Sequence, residues 1–531
     1  MLGHQRTRRS GAKVKTGCKT CKIRRVKCDE LRPHCRRCTS TGRQCDGYPS
    51  PKEEFQIQTW GSSQPCRLQS AISMLSGFGS GIRYLEFYHH CARPVLSSSF
   101  DREFWSRITL QMAYSEPAVR HALIALGYLH STETGRMKDA RAKSASLYES
   151  KTLLYHYNKS VRSLVDRIDE ASYKPEIALV TCLLFVCMEY LRGNYHAAFT
   201  HLTGGFKILS GRTADIRQDS PFSSPSSTSE APITGSNLYQ SNLIDEELRP
   251  IFVRAMASAM MYGVNVDSTF GIPEPSLEVL RSLRLASIRE AQLSAHELRN
   301  QSILMVRDLS RKILREEAIL PEDLTNQAYM IQCQRAWHEA LDNFTRTRQL
   351  SDADQVAVSE LMTHYHAVHI WTACAADISQ MPFDKHLEGF QSILRHAELA
   401  LNSADLNITQ SAARFTFEIS LIPAVYFVGT RCRCPTTRRK AVALLARNPP
   451  REGMWDAEQH VIVTNRVIEM EEEELDPVTG WPVEQTRLWS SVIEANMDSK
   501  GGFWAHFLPS RWMHEKHPDG SQKLLQEFFV V

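Results

Sequence analysis

Apolar residues recur at three- and four-residue steps along most of the chain after position 80, which is the spacing of a helix with one buried face. The pattern is clear in YLEFYHHCARPVL from Tyr84, in EFWSRITLQMAY from Glu103 and in EPAVRHALIALGYLH from Glu116. It continues from Lys138 to Arg167. The alternation of apolar and polar residues that marks strands is scarce, so the sequence predicts a large all-α region.

A denser apolar run lies in the segment PEIALVTCLLFVCMEYLRGNYHAAFTHLTGGFKIL. Its most apolar part, Ile177 to Met188, lies between two glutamates and is shorter than the roughly 20 residues that span a bilayer. We therefore interpret it as a buried core helix, joined near Gly193 to a second helix that packs on it. No membrane association is expected.

Two stretches interrupt the helical pattern. Residues 47–80 contain glycines and prolines and are predicted to be a linker, without the sustained heptads of a coiled coil. Residues 217–241 are rich in Ser, Pro and Thr and are predicted to be a disordered insertion. The helical region then spans 81–500, and 501–531 remain as a C-terminal segment.

Composition adds a second, very different part to this picture. A chain of 531 residues exceeds the usual single core, and its 42% hydrophobic and 23% charged content is that of an ordinary globular protein. Residues 1–52 hold 15 Lys and Arg against 3 Asp and Glu, a net charge of +12, whereas the remainder carries −8. A basic head on a mildly acidic body suggests a polyanionic partner.

Residues 1–17 form the start of this basic head and are predicted to be a disordered arm. They contain no apolar stretch of the kind that a secretory signal needs, so we expect the cysteines to be in a reducing compartment. The arm's basic residues fit a nuclear-import signal, additional phosphate contacts or a plain tail equally well.

Six cysteines follow in CKTCKIRRVKCDELRPHCRRCTSTGRQC, where each half repeats CxxC, six residues and C. A reducing compartment favours metal binding over disulfides for such an array. Two tetrahedral zinc ions need eight ligand positions, which six thiolates fill when two sulfurs bridge both metals. Residues 18–46 are too few for a hydrophobic core, so the metal would supply the folding free energy. The candidate ligands are Cys18, Cys21, Cys28, Cys35, Cys38 and Cys45.

Basic residues fill the segment between the second and third cysteines. If a short helix follows the first CxxC, Ile23 and Val26 face the cluster, and most of the four basic side chains face outward. Such a surface is able to enter the major groove of DNA. These basic residues are Lys22, Arg24, Arg25 and Lys27.

The cysteine layout, with Pro33 in the loop between the halves, closely resembles the six-cysteine binuclear zinc cluster of fungal transcription factors. The resemblance implies two zinc ions bridged by Cys18 and Cys35. It also implies that Arg24 and Arg25 read a CGG-like triplet, because the arginine fork can donate to both acceptors of guanine. The family more often has lysine where this chain has Arg25.

Other basic residues of the module are better placed for phosphate than for bases. Phosphate contacts contribute affinity and salt dependence rather than sequence choice. We assign this role to Lys19, Lys22, Lys27, Arg36 and Arg37.

The helical body resembles, less specifically, the regulatory domain that follows fungal zinc clusters. The phrases that carry this resemblance are YLEFYHHCARPVL, FWSRITLQMAYSEPAVRHALIALGYLH and LLFVCMEYLRGNYHAAFTHLTGGFKIL. In the family, this region dimerises, senses effectors or contacts coregulators. The fold class expected is therefore mainly α, with a small N-terminal binuclear zinc cluster and a large all-α regulatory domain.

Three further groups of residues have the right chemistry but unsuitable spacing. His364, His366 and His369 lack the i, i+4 pair of a helical metal site, so helix packing is the better interpretation. Cys432 and Cys434 form a lone CxC without partner ligands. The acidic residues from Glu469 to Asp476 fit a solvated helix end better than an activating patch.

The sequence therefore predicts a nuclear, sequence-specific DNA-binding transcription factor of a fungus, acting on RNA polymerase II and not an enzyme. Its expected partners are double-stranded DNA with CGG-like half-sites, coregulators and a second copy bound through the helical domain. The alternative is a helical ligand-sensing or scaffold protein whose cluster mediates protein contacts. A third interpretation is an enzyme with an appended DNA-binding head. The sequence does not specify target genes, effector, direction of regulation or half-site spacing.

Overall fold

The computed structural model describes residues 18, 20–21, 26–31, 34–42, 45, 81–96, 100–144, 150–218, 243–261, 274–405, 412–495 and 497–531. The chain divides into two compact units, Met1–Ser70 and Ala71–Val531, and each is described by itself. The predicted arm, the predicted linker and all but the first two residues of the predicted insertion lie outside the described residues.

The described residues of the first unit pack around cysteine side chains. Its one described α-helix, α1 (Arg36–Thr39), begins after Cys35, whose side chain accepts a hydrogen bond from the backbone N–H of Cys38. Among the residues described in this unit, the buried side chains are cysteines, and Val26 packs against them. Val26 therefore faces the cluster as predicted, whereas Ile23 lies outside the described residues.

The second unit is mainly helical, which confirms the predicted fold class. Its α-helices are α2 (Ile82–Phe87), α3 (Arg93–Leu96), α4 (Thr109–Ser115), α5 (Pro117–Thr132), α6 (Met137–Ser144), α7 (Lys151–Ile168), α8 (Pro175–Leu191), α9 (Tyr195–Gln218), α10 (Arg249–Met261), α11 (Leu277–Ser282), α12 (Ile288–Leu314), α13 (Pro321–Thr347), α14 (Asp352–Cys374), α15 (Leu387–Asp405), α16 (Ile422–Arg431), α17 (Pro435–Ala446) and α18 (Ala457–Glu471).

Shorter helical turns connect several of these helices. The π-helical segments are Tyr88–Ala92, Phe104–Ile108 and Leu243–Leu248. The 3-10 segments are Met381–His386, Glu484–Thr486 and Ser510–Trp512.

Helix α8 is the core helix that the apolar run predicts. Pro175 starts it at a position where its missing N–H breaks no hydrogen bond, and almost every side chain along it is buried. Gly193, with φ of +68°, turns the chain into α9, which packs against α8. In the part of the chain that the structure describes, no helix has both the length and the apolar character to cross a membrane.

The main apolar core extends from Leu85 to Phe507 and includes the place where α5 packs against α2, α7 and α8. Helices α2 and α5 approach so closely that a Cβ on Gly127 would lie 2.1 Å from the carbonyl oxygen of Tyr84. Nearby, the buried Tyr88 hydroxyl donates to the carbonyl oxygen of Trp105 at 2.7 Å. A smaller apolar cluster between α11, α12 and α13 is centred on Trp337.

The C-terminal part contains a sheet that the helical pattern did not predict. Strands β3 (Leu488–Ile493), β4 (Gly502–Pro509) and β5 (Leu525–Val530) form an antiparallel sheet in that order. A separate two-residue pair joins β1 (Phe415–Thr416) to β2 (Arg451–Glu452) in parallel. Among the three strands of this sheet, only β5, a short edge strand, alternates regularly between more buried and more exposed residues. The alternation of apolar and polar residues that marks a strand is therefore weak in the sequence.

Candidate metal centre and nucleic-acid interface

The six predicted cysteine ligands lie together in the first unit. Their sulfur atoms form two groups of four, and the members of each group lie within 4.8 Å of one another. Both groups contain Cys18 and Cys35. The remaining members are Cys21 and Cys28 in the first group, and Cys38 and Cys45 in the second.

The spacing of these sulfurs fits tetrahedral zinc. Sulfurs on one zinc ion lie about 3.8 Å apart, because each Zn–S bond is about 2.3 Å long and the bonds diverge tetrahedrally. The sulfur of Cys18 lies 3.5 Å from that of Cys35 and 3.9 Å from that of Cys38, and those of Cys21 and Cys35 are 3.6 Å apart. Two four-sulfur groups that share two members offer the eight positions that two zinc ions need.

Backbone N–H groups point at the sulfurs in a pattern that repeats between the two halves. In the first half, the N–H of Cys21 donates to the sulfur of Cys18 at 3.4 Å, and in the second half Cys38 donates to Cys35 at 3.3 Å. The N–H of Cys18 likewise donates to Cys28, and that of Cys35 to Cys45, each at 3.4 Å. Such donors stabilise thiolate ligands and fix their orientation.

The chemistry of these thiols also favours a cation. Desolvation is the largest effect on Cys18, Cys21 and Cys35, and it raises the pKa of each thiol. Without a cation these sulfurs would therefore keep their protons at neutral pH. Zinc takes thiolates as ligands, so binding would release protons and depend on pH.

Asp29 links the two halves, which the sequence analysis missed. Its carboxylate accepts N–H hydrogen bonds from Leu31 and Arg36, both at 3.2 Å, and from Arg37 at 2.6 Å. Desolvation opposes ionisation, but these three hydrogen bonds outweigh it and lower the pKa of Asp29. An acidic residue directly after a ligand cysteine is the sequence signal for this contact.

The predicted DNA-contacting residues divide between described and undescribed parts of the module. The side chains of Lys27, Arg36 and Arg37 are exposed, as contacts with phosphate require. His34 lies exposed in a bend and belongs to neither sulfur group. The other predicted contacts lie outside the described residues: Lys19, Lys22, Arg24 and Arg25.

The three histidines of α14 pack within the helical domain. His364 hydrogen-bonds the carbonyl oxygen of Ser420 at 2.5 Å, and His369 contacts the Gln334 side-chain oxygen at 2.9 Å. His366 has a ring neighbour in His396. The described residues hold no group of metal-ligating atoms around these histidines.

The CxC and one member of the acidic run, Glu471, also lie within the packed body. Cys432 is buried and Cys434 is partly buried at the start of α17. The expectation of a solvated helix end is wrong for Glu471, which is fully buried between Arg433 and Arg438 with N–O distances of 2.8 Å. The buried guanidiniums of Arg433 and Arg438 need the Glu471 carboxylate as their counter-ion. Both arginines lie far from Glu471 in the sequence.

Comparison with known proteins agrees with both units. The model of the fungal Zn(2)-Cys(6) binuclear cluster domain matches residues 16–54, and that of the fungal specific transcription factor domain matches residues 83–314. The small sulfur cluster and the large helical body together define a zinc-dependent DNA-binding regulator. The chain carries the two domains of fungal Zn(2)-Cys(6) transcription regulators, and the binuclear cluster domain binds two zinc ions.

The curated relatives differ in how much of the chain they resemble. The chain is 23% identical to the aspercryptin biosynthesis cluster-specific transcription regulator of Emericella nidulans, over 86% of this chain and 87% of that protein. It is 28% identical to the transcription regulator lscL of Purpureocillium lilacinum, over 35% of this chain and 47% of that one.

A third relative matches over a much shorter stretch. The transcriptional regulatory protein moc3 of Schizosaccharomyces pombe is 50% identical over 56 residues, which is 10% of this chain and 11% of that protein. No solved structure matches the chain significantly.

Proposed function

We propose that the six cysteines are the zinc ligands, with Cys18 and Cys35 bridging, and that the cluster presents Arg24 and Arg25 to CGG-like triplets in DNA. The observation that carries this proposal is the pair of four-sulfur groups sharing those two cysteines. Arg24 and Arg25 follow Cys21 by three and four residues, so a metal-held Cys21 would anchor them. Each bidentate contact to guanine contributes roughly 1 to 3 kcal/mol of discrimination.

The phosphate contacts are assigned to Lys19, Lys22, Lys27, Arg36 and Arg37. Exposure of the last three supports this assignment. The N–H bonds from Arg36 and Arg37 to Asp29 hold the backbone that carries both guanidiniums. These residues would strengthen binding to any DNA and make it sensitive to salt.

Fluorescence anisotropy with the zinc-loaded chain tests the division of roles. Probes with CGG triplets are compared with scrambled probes of equal length across a series of salt concentrations. Arg25→Ala should weaken binding to the CGG probe by about ten-fold or more and leave the scrambled probe nearly unchanged. Lys19→Ala should weaken both equally and reduce the salt slope by about one. Equal losses on both probes for Arg25→Ala would contradict base reading.

The proposal places the protein in the nucleus, where it acts on RNA polymerase II promoters and performs no catalysis. Its relatives' names support a role in transcription. A tagged chain should localise to the nucleus, and chromatin mapping should find it at promoters containing CG-rich triplets. Exclusion from the nucleus, or a map without enrichment at such elements, would favour the alternative of a scaffold whose cluster mediates protein contacts.

We further propose that the helical domain mediates homodimer or coregulator contacts. The support is an apolar row on the outer face of α7, where Leu154, Val161, Val165 and Ile168 are exposed. Sedimentation should show a dimer that Val161→Lys weakens, while Lys159→Ala on the same helix leaves it intact. A monomer at all concentrations that also binds no coregulator would contradict this part of the proposal.

A further inference from the structure

A cavity of about 160 Å³ lies inside the helical domain, far along the chain from the zinc module. Helix α12 contributes Arg299 and Ile303 to its wall, α14 contributes Trp371, and α16 contributes Phe427. Trp455 adds a further aromatic wall. The cavity is therefore lined by helices that are far apart in the chain. None of its lining residues belongs to the DNA-binding module.

The size and wall chemistry of the cavity limit what it can hold. Most of the wall is aliphatic or aromatic, including Ile303, Val368, Trp371, Pro423 and Phe427. An apolar protein cavity of about 150 Å³ accommodates a benzene molecule. A single ring or a branched aliphatic group of similar volume therefore fits, and a larger cofactor does not.

One end of the cavity is polar because Arg299 lines it. The Arg299 Nε atom is buried and has no hydrogen-bond partner among the residues that the structure describes. In the same part of the chain, no carboxylate oxygen lies within 4 Å of its guanidinium, whereas the neighbouring Arg254 is paired with Glu418 at 2.5 Å. Within the described residues, Arg299 thus has no carboxylate counter-ion at the wall of this largely apolar cavity.

A smaller adjoining cavity of about 20 Å³ extends this polar end. It shares Arg299 with the larger cavity and is also lined by Arg254 and Ser258. Arg254 is only 9% exposed, and its Nη1 atom has no hydrogen-bond partner within the described residues; the same holds for the Ser258 hydroxyl. Two guanidiniums and a hydroxyl, each with an atom that has no hydrogen-bond partner among the described residues, therefore line one small volume.

Glu418 also lines the smaller cavity and is paired with Arg254. Of the two guanidiniums at this end, Arg299 is therefore the one that has no carboxylate oxygen within 4 Å among the described residues. The Glu452 carboxylate already accepts N–H bonds from Ser420, Leu421 and Ile422. Desolvation, with the nearby carboxylates, raises the pKa of Glu360 to about 8, so this group is largely protonated at neutral pH. Desolvation lowers the pKa of Arg299 to about 10, which leaves it cationic.

We propose that this cavity binds a small organic monocarboxylate with a compact apolar body, whose carboxylate pairs with Arg299 and whose body packs against Trp371 and Phe427. A guanidinium fork matches the two oxygens of a carboxylate and holds them with charge-assisted hydrogen bonds. Binding would satisfy buried donors that have no partner among the described residues, so carboxylates are favoured over neutral ligands of the same shape.

Calorimetry and thermal unfolding of the full zinc-loaded chain test the site with benzoate, benzamide and benzylamine as probes. Benzoate should bind one per chain and raise the melting temperature, benzamide should bind at least about ten-fold more weakly, and benzylamine should not bind. Arg299→Gln should abolish the preference for benzoate over benzamide. Arg311→Gln, on the solvent side of the same helix, should bind like the original chain.

A second variant tests the location independently of charge. Ala367→Phe places a ring in the cavity and should remove binding of both benzoate and benzamide. Stronger binding of benzylamine than of benzoate would show that the carboxylates control the cavity and would overturn the proposal. Benzoate affinity that survives both Arg299→Gln and Ala367→Phe would overturn it as well.

DNA binding measured in the same samples separates this inference from the function proposed above. If CGG probes bind normally but benzoate does not bind, only the cavity proposal fails. If benzoate binds with the expected variant pattern while CGG probes bind no better than scrambled ones, only the base-reading proposal fails.

Discussion

The sulfur of Cys18 lies 3.5 Å from the sulfur of Cys35, although 17 residues separate them in the chain. Each stands first in its half of the cysteine repeat, and each accepts the N–H of the cysteine three residues later. Both sulfur groups contain this pair. The contact therefore joins two equivalent half-modules into one metal centre.

Replacing a cysteine that belongs to both sulfur groups should remove both zinc ions. Cys18→Ala removes a member of both groups, so we expect loss of both zinc ions and of specific DNA binding. Metal analysis of the purified chain should fall from about two zinc ions to none. Cys434→Ala, in the helical domain, is the control and should keep two. A Cys18→Ala chain that retains two zinc ions would rule out the shared role.

Asp29→Ala should loosen the zinc module without removing a ligand. The variant leaves the N–H groups of Leu31, Arg36 and Arg37 without their acceptor, so the segment that carries Cys35 and Cys38 is less well held. Loss of such supporting contacts typically weakens metal affinity about ten-fold or more.

Competition with a chromogenic chelator measures the effect of Asp29. Asp29→Asn, which keeps one acceptor oxygen, should be intermediate, and Ser40→Ala should be unchanged. Because the folded pKa of Asp29 is lowered, its contribution is present above the ordinary aspartate pKa and is lost as pH falls through the folded value. Identical zinc release by the original chain and Asp29→Ala would contradict this role.

Gly127→Ala should destabilise the helical domain because α2 and α5 touch at this residue. The new Cβ would meet the Tyr84 carbonyl oxygen at 2.1 Å, and the backbone there cannot rotate aside. Overpacking of this kind destabilises by roughly 1 to 3 kcal/mol. Gly204→Ala on α9, with no atom within 4 Å of the new Cβ, should stabilise by about 0.5 to 1 kcal/mol. Urea unfolding should therefore move in opposite directions for the two variants.

Glu471→Gln should be among the most destabilising single changes in the body. Arg433 and Arg438 are both fully buried against this carboxylate, and the Leu488 N–H also donates to it at 2.9 Å. Removing one member of a buried charged group typically destabilises by about 3 to 5 kcal/mol. Chemical unfolding measures the loss. The exposed Glu474→Gln should change stability by less than about 0.5 kcal/mol.

The same carboxylate predicts a pH dependence. Desolvation opposes its ionisation, but Arg433 and Arg438 outweigh that effect and lower the pKa of Glu471. A lowered folded pKa means that the contribution is present above the ordinary glutamate pKa and is lost as pH falls through the folded value. The acid limb of the stability curve should therefore flatten in Glu471→Gln. An unchanged limb would show that Glu471 does not carry it.

The grouping of the six cysteines could be predicted from sequence because its determinants are local. Ligand spacing within 28 residues selects the metal and the number of ions, and a module without an apolar core has few other ways to fold. The core helix α8 and its turn at Gly193 were predictable for a related reason, since a continuous apolar run has only one stable environment in this fold. The contact of Asp29 with α1 was missed because every residue except proline has a backbone N–H. The residue types around Asp29 therefore do not show which N–H groups donate to it.

Other features depend on residues that are far apart in the chain. Glu471 looked like one member of an exposed acidic run, but α17 brings Arg438 against it, and a buried carboxylate is stable only beside such partners. The strands after Leu488 carry too short an alternation to be recognised before they pair. The cavity at Arg299 exists only because helices from three separate segments enclose it.

The sequence by itself determined the metal centre and the helical character of the body, because cysteine spacing and apolar periodicity act over a few turns of chain. The tertiary structure decided which charges are buried, where the sheet forms and where an unpartnered guanidinium meets an apolar cavity. Burial of a charge, pairing of strands and formation of a cavity all depend on desolvation and on residues that are distant in the chain. The spacing of apolar residues along the chain encodes neither of these factors.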